Sequence, residues 1–479
     1  MPVRPIPATH TVLAVLLTAA AVTAGPLNPP AGPVAPTPGP EPRTPINSTN
    51  TPGDASSFFR ITQPGSYYLT ANFFVGTIEH GLQIDLATDG LVTIDLNGFT
   101  ISGNENALNG IDVDGPFQPR VVLRNGHVTG FNGNGVDLAG SECATVEHIE
   151  SSRNSGKGIV IGTGTLTDCK AQFNSLGGFV AGDNSALVRC DAVTTGPIGI
   201  EAGDNCRLTQ CSATGASSRG IQCESNCTLT DCVAANNPGY GIHAYLNATI
   251  KGCTARDNGE GGFSTNQSAT LIACTAYSNT KWGFSSGGTS VFQGCTAKDN
   301  GFAGFTSSFS QLSECLAVGN TLDGFSLGGI SNVSKCSALS NLGSGFSAGG
   351  ACVIVECSAM YNNAHGIFLS LHGNTVRGNN CTGNGQGATP GAGIQLNGNS
   401  NRVENNHCKD NDFGIDIDGT RNVITGNTCA DNTQNWAIAN NNSYGPILDR
   451  SAAATAGMNG ANFGPSTMNT TDPHANFTN

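Results

Sequence analysis

The stretch GCTARDNGEGGF (252–263) is followed by ACTAYSNTKWGF (273–284), GCTAKDNGFAGF (294–305), ECLAVGNTLDGF (314–325) and KCSALSNLGSGF (335–346). A cysteine, an asparagine and a glycine–phenylalanine pair thus return every twenty or twenty-one residues. A fixed period of this length marks a solenoid, in which each repeat buries its apolar face only by stacking on the next. Counted from the cysteine, the zero column runs Cys169, Cys190, Cys211, Cys232, Cys253, Cys274, Cys295, Cys315, Cys336 and Cys357, and after longer gaps it is continued by Cys381, Cys408 and Cys429. An alanine follows two residues later, from Ala171 to Ala359. Three residues before the cysteine stands a bulky apolar residue, as in Leu166, Ile250 and Phe292, and two before that a small one, as in Ser185, Cys206 and Cys227. Ten residues after it comes Phe or Ile, from Phe179 to Ile367, always preceded by glycine.

These columns alternate with period two in short bursts, which is how a strand sends every second side chain to one core. The phase slips between bursts, so the chain must bend there, giving three short strands and three corners per repeat. No repeat holds a helix-length periodic segment, which excludes the helix-bearing solenoids. The pattern therefore predicts an all-β chain: a single right-handed parallel β-helix of about fifteen coils, handedness following the general rule for parallel crossovers. The asparagines at Asn154, Asn174, Asn237, Asn258, Asn279, Asn300, Asn320, Asn341 and Asn362 are expected at a left-handed corner with their amides stacked, and the repeated glycines at another tight corner. The cysteines read as small buried packing residues. Rungs about 4.8 Å apart suit a disulfide poorly, so free thiols are expected, with Cys206, Cys223 and Cys227 the densest group outside the main ladder.

Whole-chain properties narrow the function. Only 11% of the 479 residues are charged, and 21 Lys and Arg stand against 34 Asp and Glu, a net charge of -13 without a basic stripe. That balance disfavours nucleic acid and anionic membrane surfaces as partners. Arg4 precedes the apolar run 11–23, too short to span a membrane but suited to a signal peptide ending near Ala24. Export to the periplasm or beyond the cell is expected, with no membrane span. The organisation read from the sequence is a signal peptide at 1–24, a proline-rich linker at 25–53, an N-terminal cap at 54–97, β-helix repeats at 98–432, and a C-terminal cap and tail at 433–479.

The repeats, together with FFRITQPGSYYLTANFFV (58–75) and GLVTIDLNGFTISG (90–103), make the chain resemble the right-handed parallel β-helix proteins of the pectin-lyase-like superfamily over about 54–445. The last coils, NTVRGNNCTGNG (374–385), NRVENNHCKDN (401–411) and NVITGNTCADN (422–432), are similar to NosD-like periplasmic members. This resemblance implies an architecture and no single reaction, because the superfold hosts lyases, hydrolases, epimerases and adhesins.

Chemistry must come from a site. Polysaccharide lyases of the family pair calcium-binding carboxylates with an Arg or Lys base, and its hydrolases use close aspartates. The nearest match is GIDVDG (110–115) and GVDLAG (135–140), where Asp112, Asp114 and Asp137 form an outward acidic group that suits calcium, with Lys157 the closest candidate base. A second acidic cluster holds Asp410, Asp412, Asp416 and Asp418. Both read more simply as solvated patches. The triplet Asp472, Pro473, His474 resembles part of an alginate epimerase motif but lies beyond the coils, and His365, His372 and His407 fall in different columns and do not converge as copper ligands. Finally, Arg219, Tyr240, Gly261 and Trp282 occupy the column before the repeated glycine on successive rungs, a spacing that suits stacking and charge contacts to an extended sugar chain. The sequence thus points to a monomeric, noncatalytic exported scaffold that binds a polysaccharide or cell-surface glycan through Arg219, Tyr240 and Trp282. The alternative is a polysaccharide lyase or hydrolase.

Overall fold

A computed structural model describes residues 43–385, 387, 390–450 and 470–479. The expected signal peptide and the first part of the proline-rich tract lie outside the described residues. Every element from Thr44–Pro45 to Asn476–Thr478 is a strand. The coil through Cys190 shows the plan: Ala186–Val188, Asp191–Val193 and Ile198–Ala202 are its first, second and third strands. Each pairs in parallel with its equivalent one coil on, as Leu187 with Leu208, Ala192 with Ala213 and Ile200 with Ile221. Stacked first and second strands make a 36-stranded sheet, and third strands make the other. The molecule is a right-handed parallel solenoid of about 19 turns, more than the fifteen or so expected from the sequence.

The extra turns lie at both ends. Ser57–Ile61 pairs with His80–Ile84, which pairs with Ile111–Val113, so the region expected as a cap is already coiled. The end of the expected linker is also folded. Thr44–Pro45 pairs with Tyr67–Tyr68, Ile46 is buried, and Arg43 binds Asp95 at 3.2 Å. Proline is tolerated there because an end strand leaves one edge unpaired. At the other end Gln434–Ile438 adds a rung to Phe413–Ile417, and Asn476–Thr478 pairs with both Thr428–Cys429 and Ile447–Asp449.

The interior is one continuous stack. Phe263, Phe284, Phe305, Phe325 and Phe346 lie ring on ring, with centroids 4.7–4.8 Å apart and planes within 7°. All eighteen cysteines are free, and all but Cys143 are buried. Several thiols point at carbonyls of the preceding coil, as Cys206 to Gly182 at 3.2 Å and Cys227 to Gly203 at 3.1 Å, and others at the carbonyl two residues back, as Cys253 to Lys251 at 3.4 Å. Burial pushes the Cys352 thiol above its ordinary value, which holds it protonated.

Three column assignments change. Cys381 pairs with Ala359, not Cys357, and Cys408 and Cys429 continue from it. The late cysteines therefore extend the alanine column, while the cysteine column becomes Asn379, Asn406 and Asn427. Both columns face inward, so a cysteine fits either. The corner asparagines sit one residue past the left-handed position, which Asp257, Ser278 and Asp299 occupy at φ 51–55°. Their amides do stack: Asn258 donates through both its backbone nitrogen and Nδ2 to Asn279 Oδ1, at 3.1 and 3.0 Å. Nor is the repeated glycine a left-handed corner. A Cβ on Gly262 would lie 2.7 Å from the Gly283 carbonyl oxygen and 2.8 Å from the Ala276 methyl, so close approach excludes any side chain.

Two outcomes follow. Alkylation of the native protein should leave most cysteines unmodified, and unfolding without reductant should expose them; a majority recovered as disulfides by mass spectrometry contradicts the packed ladder. Replacing Asn300 by Ala should lower stability by about 1–3 kcal/mol in denaturant titrations, because the Asn279 backbone N–H and Nδ2 both lose their acceptor.

Candidate functional site

The outward surface of the third strands carries most of the residues singled out above. At the repeated glycine the phase shifts, because the glycine and the residue after it both turn inward. Side chains before the glycine and two after it therefore share the outer face and meet at a spacing of three. Asn109 Nδ2 donates to Asp112 at 2.6 Å, Asn134 Nδ2 to Asp137 at 2.7 Å, and Arg219 Nη1 to Gln222 at 2.6 Å. Likewise the Tyr240 and His243 rings lie 6.0 Å apart and near parallel.

Asp112 and Asp137 are paired in register on neighbouring rungs. Burial pushes the Asp112 carboxyl above its ordinary value, and repulsion from Asp137 and Asp114 adds to this against the Asn109 hydrogen bond. Asp114 is exposed beyond the end of strand Ile111–Val113 rather than on it. Among the described residues no group of three or more His, Cys, Asp or Glu is placed to hold a metal ion, so the acidic trio is not assembled as a ligand set. Lys157 follows one rung later but reaches forward to Glu201, two rungs on, at 3.8 Å. It is not poised over the aspartates.

The second acidic cluster is similarly dispersed. Gln395 Nε2 donates to Asp418 at 3.1 Å, Asp410 pairs with Lys409 at 3.2 Å, and Asp412 accepts the Gly391 N–H at 2.9 Å, which ties down one end of the longest corner. His365 Nδ1 accepts the Ala392 N–H at 3.0 Å. The Asp472–His474 triplet forms a turn, with the His474 N–H on Asp472 at 2.8 Å. It leads into Asn476, which ends the asparagine ladder by accepting from Asn427 at 3.0 Å.

Arg219, Tyr240, Gly261 and Trp282 do line up. Tyr240 is in register with Gly261, and Gly261 with Trp282. All three side chains are half-buried, not fully exposed. A Cβ on Gly261 would lie 3.2 Å from the Tyr240 ring, so the glycine lets that ring lie along the solenoid axis. Trp282 is braced edge-to-face by Phe302 at 5.3 Å, with Lys281 Nζ 5.8 Å from its centre. The flanking acids have their own partners, Glu201 with Lys157 and Glu260 with Lys281, whereas Arg219 makes no ion pair with any described carboxylate.

Two features of the site were not legible as chemistry in the sequence. His243 lies between Tyr240 and Tyr245, is only 7% exposed, and leaves Nδ1 without a hydrogen-bond partner. Burial, reinforced by the Arg219 guanidinium, pushes this imidazole down to about 4. The second is a surface hollow of about 340 Å³ on the other sheet, lined by His127, His148, Glu150, Asp168 and Lys170. Its acidic groups are already held: His127 meets Glu150 at 3.0 Å, His148 meets Asp168 at 3.7 Å, and Arg189 grips Asp168 at 2.6 and 2.8 Å. Such exposed pairs read as a charge ladder along the rungs and add little to stability. Following the column next to the cysteine, His127, Glu150, Lys170 and Asp191, exposes the alternation.

Comparison with known families matches the right-handed β-helix region model at residues 109–279, 198–341, 263–400 and 324–463. The chain belongs to the right-handed β-helix family. No curated protein matches this β-helix in sequence at a significant level. Among solved structures, the mannuronan C-5 epimerase AlgE6 A-module of Azotobacter vinelandii superposes at 15% identity and TM-score 0.37, covering 68% of this chain and 89% of its own. The periplasmic alginate epimerase AlgG does so at 10% identity and TM-score 0.29, with 67% and 76% covered. Pectate lyase Pel9A gives 14%, 0.26, and 57% and 70%. These superpositions concern the path of the backbone alone.

The buried imidazole has a pH consequence. Its proton is bound in the unfolded chain below about 6.5 but in the folded chain only below about 4, so His243 withdraws stability as pH falls through that window, by roughly 3 kcal/mol at most. A His243→Gln variant should lose less stability than the parent between pH 6.5 and 4 in thermal melts. Equal slopes would show that the ring is not held neutral.

Proposed function

We propose that this β-helix is an exported, noncatalytic scaffold that holds an extended glycan on the outer face of its third strands. The observation that carries the reading is the half-buried row of Arg219, Tyr240 and Trp282, in which Gly261 leaves the aromatic surface unobstructed. An aromatic face lying flat on a sheet offers its ring to the C–H face of a sugar while burying little extra entropy, because its rotamer is already set. Rungs repeat at about 4.8 Å, so Tyr240 and Trp282, two rungs apart, stand about 9.6 Å apart along the axis, close to the length of a disaccharide. Apolar export signal, low charge and a long rigid solenoid are consistent with work outside the cytoplasm. The noncatalytic part of the reading is supported by the direction of Lys157 and by the partners already held by the acidic side chains.

A lyase or hydrolase remains the second reading, and the observation that favours it is the in-register pair Asp112 and Asp137 with its raised carboxyl. New unsaturated or reducing ends on incubation with uronate and neutral polysaccharides, with and without calcium, would establish it.

For binding, Tyr240→Ala/Trp282→Ala should keep the β-sheet circular dichroism and weaken retardation in polysaccharide-containing native gels by about ten- to a hundredfold. Unchanged retardation moves the glycan off this row.

A further inference from the structure

The third-strand face changes character beyond His243. Five consecutive third strands, Gly261–Gln267, Trp282–Ser286, Phe305–Ser307, Phe325–Gly329 and Phe346–Gly350, contain no charged residue. Their outward central positions are Ser264, Ser285, Thr306, Ser326 and Ser347, each in register with the next. His243 continues the same column, in register with Ser264. It is more than nine-tenths buried, and its Nδ1 lacks a partner, as does the Thr306 hydroxyl. One end of the column therefore has a cation without a carboxylate, Arg219, next to an unsatisfied imidazole. The remainder is a row of hydroxyls at rung spacing, in which Ser264 is engaged by Tyr240, Ser347 by Asp323 and the Thr306 oxygen is buried, with Ser285 and Ser326 between them. Glu260 and Lys281, paired with each other at 3.5 Å, flank the row at its Trp282 end, and the partly buried Asp323, whose carboxylate accepts the Ser344 N–H at 2.7 Å, flanks it farther on.

We infer that the ligand of this face is a mainly neutral glycan with sparse acidic substituents: neutral sugars lie along the hydroxyl row and one acidic sugar is taken by Arg219 beside His243. This rests on the glycan-binding reading above and adds the class of glycan. The reason is electrostatic. A chain charged on every residue would lay successive carboxylates over a row whose own side chains carry no cation, past a Lys281 already paired with Glu260 and over Asp323, on a protein of net charge -13. A neutral chain meets donors and acceptors that match its own hydroxyls. At the Arg219 end the preference reverses, because a half-buried guanidinium without an anion gains a charge-assisted pair only from an acidic group.

Glucuronoxylan, its carboxyl-reduced form and polygalacturonate are suitable probes in affinity gels of the full-length protein. The expected result is strongest retardation by glucuronoxylan, about tenfold weaker by the carboxyl-reduced form, and weakest by polygalacturonate. Arg219→Gln should weaken glucuronoxylan binding about tenfold and leave binding of the carboxyl-reduced form unchanged. Ser285→Arg and Ser326→Arg, each checked for a native melt, should weaken both xylans. Polygalacturonate bound more tightly than either xylan overturns the inference. So does loss of binding in Tyr240→Ala/Trp282→Ala with no effect of either serine variant, a result that would leave the glycan-binding reading standing. No retardation by any of the three probes overturns both.

Discussion

A buried asparagine amide accepted by the asparagine of the next coil ties rung to rung from Asn237 to Asn432. Asn258, Asn279, Asn300, Asn320, Asn341, Asn362, Asn384, Asn411 and Asn432 form one such ladder, with Nδ2 to Oδ1 distances of 2.9–3.0 Å. Each Nδ2 also donates to an alanine or cysteine carbonyl of the preceding coil, as Asn300 to Ala276 at 3.2 Å and Asn411 to Cys381 at 3.0 Å. In a dry interior these bonds gain strength, and their geometry admits a single register. Phenylalanine rings, thiols and close-packed glycines then stack because the register is set. Toward the C-terminal end the amides spread to the other two inner corners. Cys352 and Cys357 hand over to Asn374 and Asn379, so three ladders run in parallel through the last coils.

The same register organises the outside. Side chains of one column stand a rung apart in straight lines, so a substitution in the repeat becomes a point on a line rather than an isolated surface feature. Opposite charges in one line pair off, as in Asp168 and Arg189. Hydroxyls in another line make a neutral track, and two aromatic residues spaced by a glycine make a platform. Binding surfaces on such a scaffold are built by choosing residues within columns while the core columns stay constant. The inward glycine is what brings the two outer columns of the third strand together, since it allows Arg219 to touch Gln222 and Tyr240 to lie against His243.

Much of this was legible in the sequence because a solenoid repeats its own key. The period, the three strands per coil, the inward Phe and Cys columns and the row of Arg219, Tyr240 and Trp282 follow from counting along one chain, since residues a repeat apart are neighbours in space. Counting failed wherever two columns obey the same rule. Past Cys357 the coils lengthen, so Cys381 could be counted into the cysteine or the alanine column, and backbone pairing alone distinguishes them. It failed again where the repeat is degenerate, so that the first coils, which lack cysteine, passed for a cap and a linker. Direction was also invisible: Lys157 stands one rung from Asp137, yet its side chain reaches the opposite way to Glu201.

What the sequence by itself determined is therefore the architecture, because an in-register fold converts sequence period directly into spatial contact. What the tertiary structure decided is the state of individual groups. Whether Asp112 is raised, whether His243 is buried without a partner, whether Gly262 excludes a side chain and which ion pairs close depend on atoms from two or three coils at once. Those depend on corner geometry and side-chain direction, which no column in a single repeat encodes.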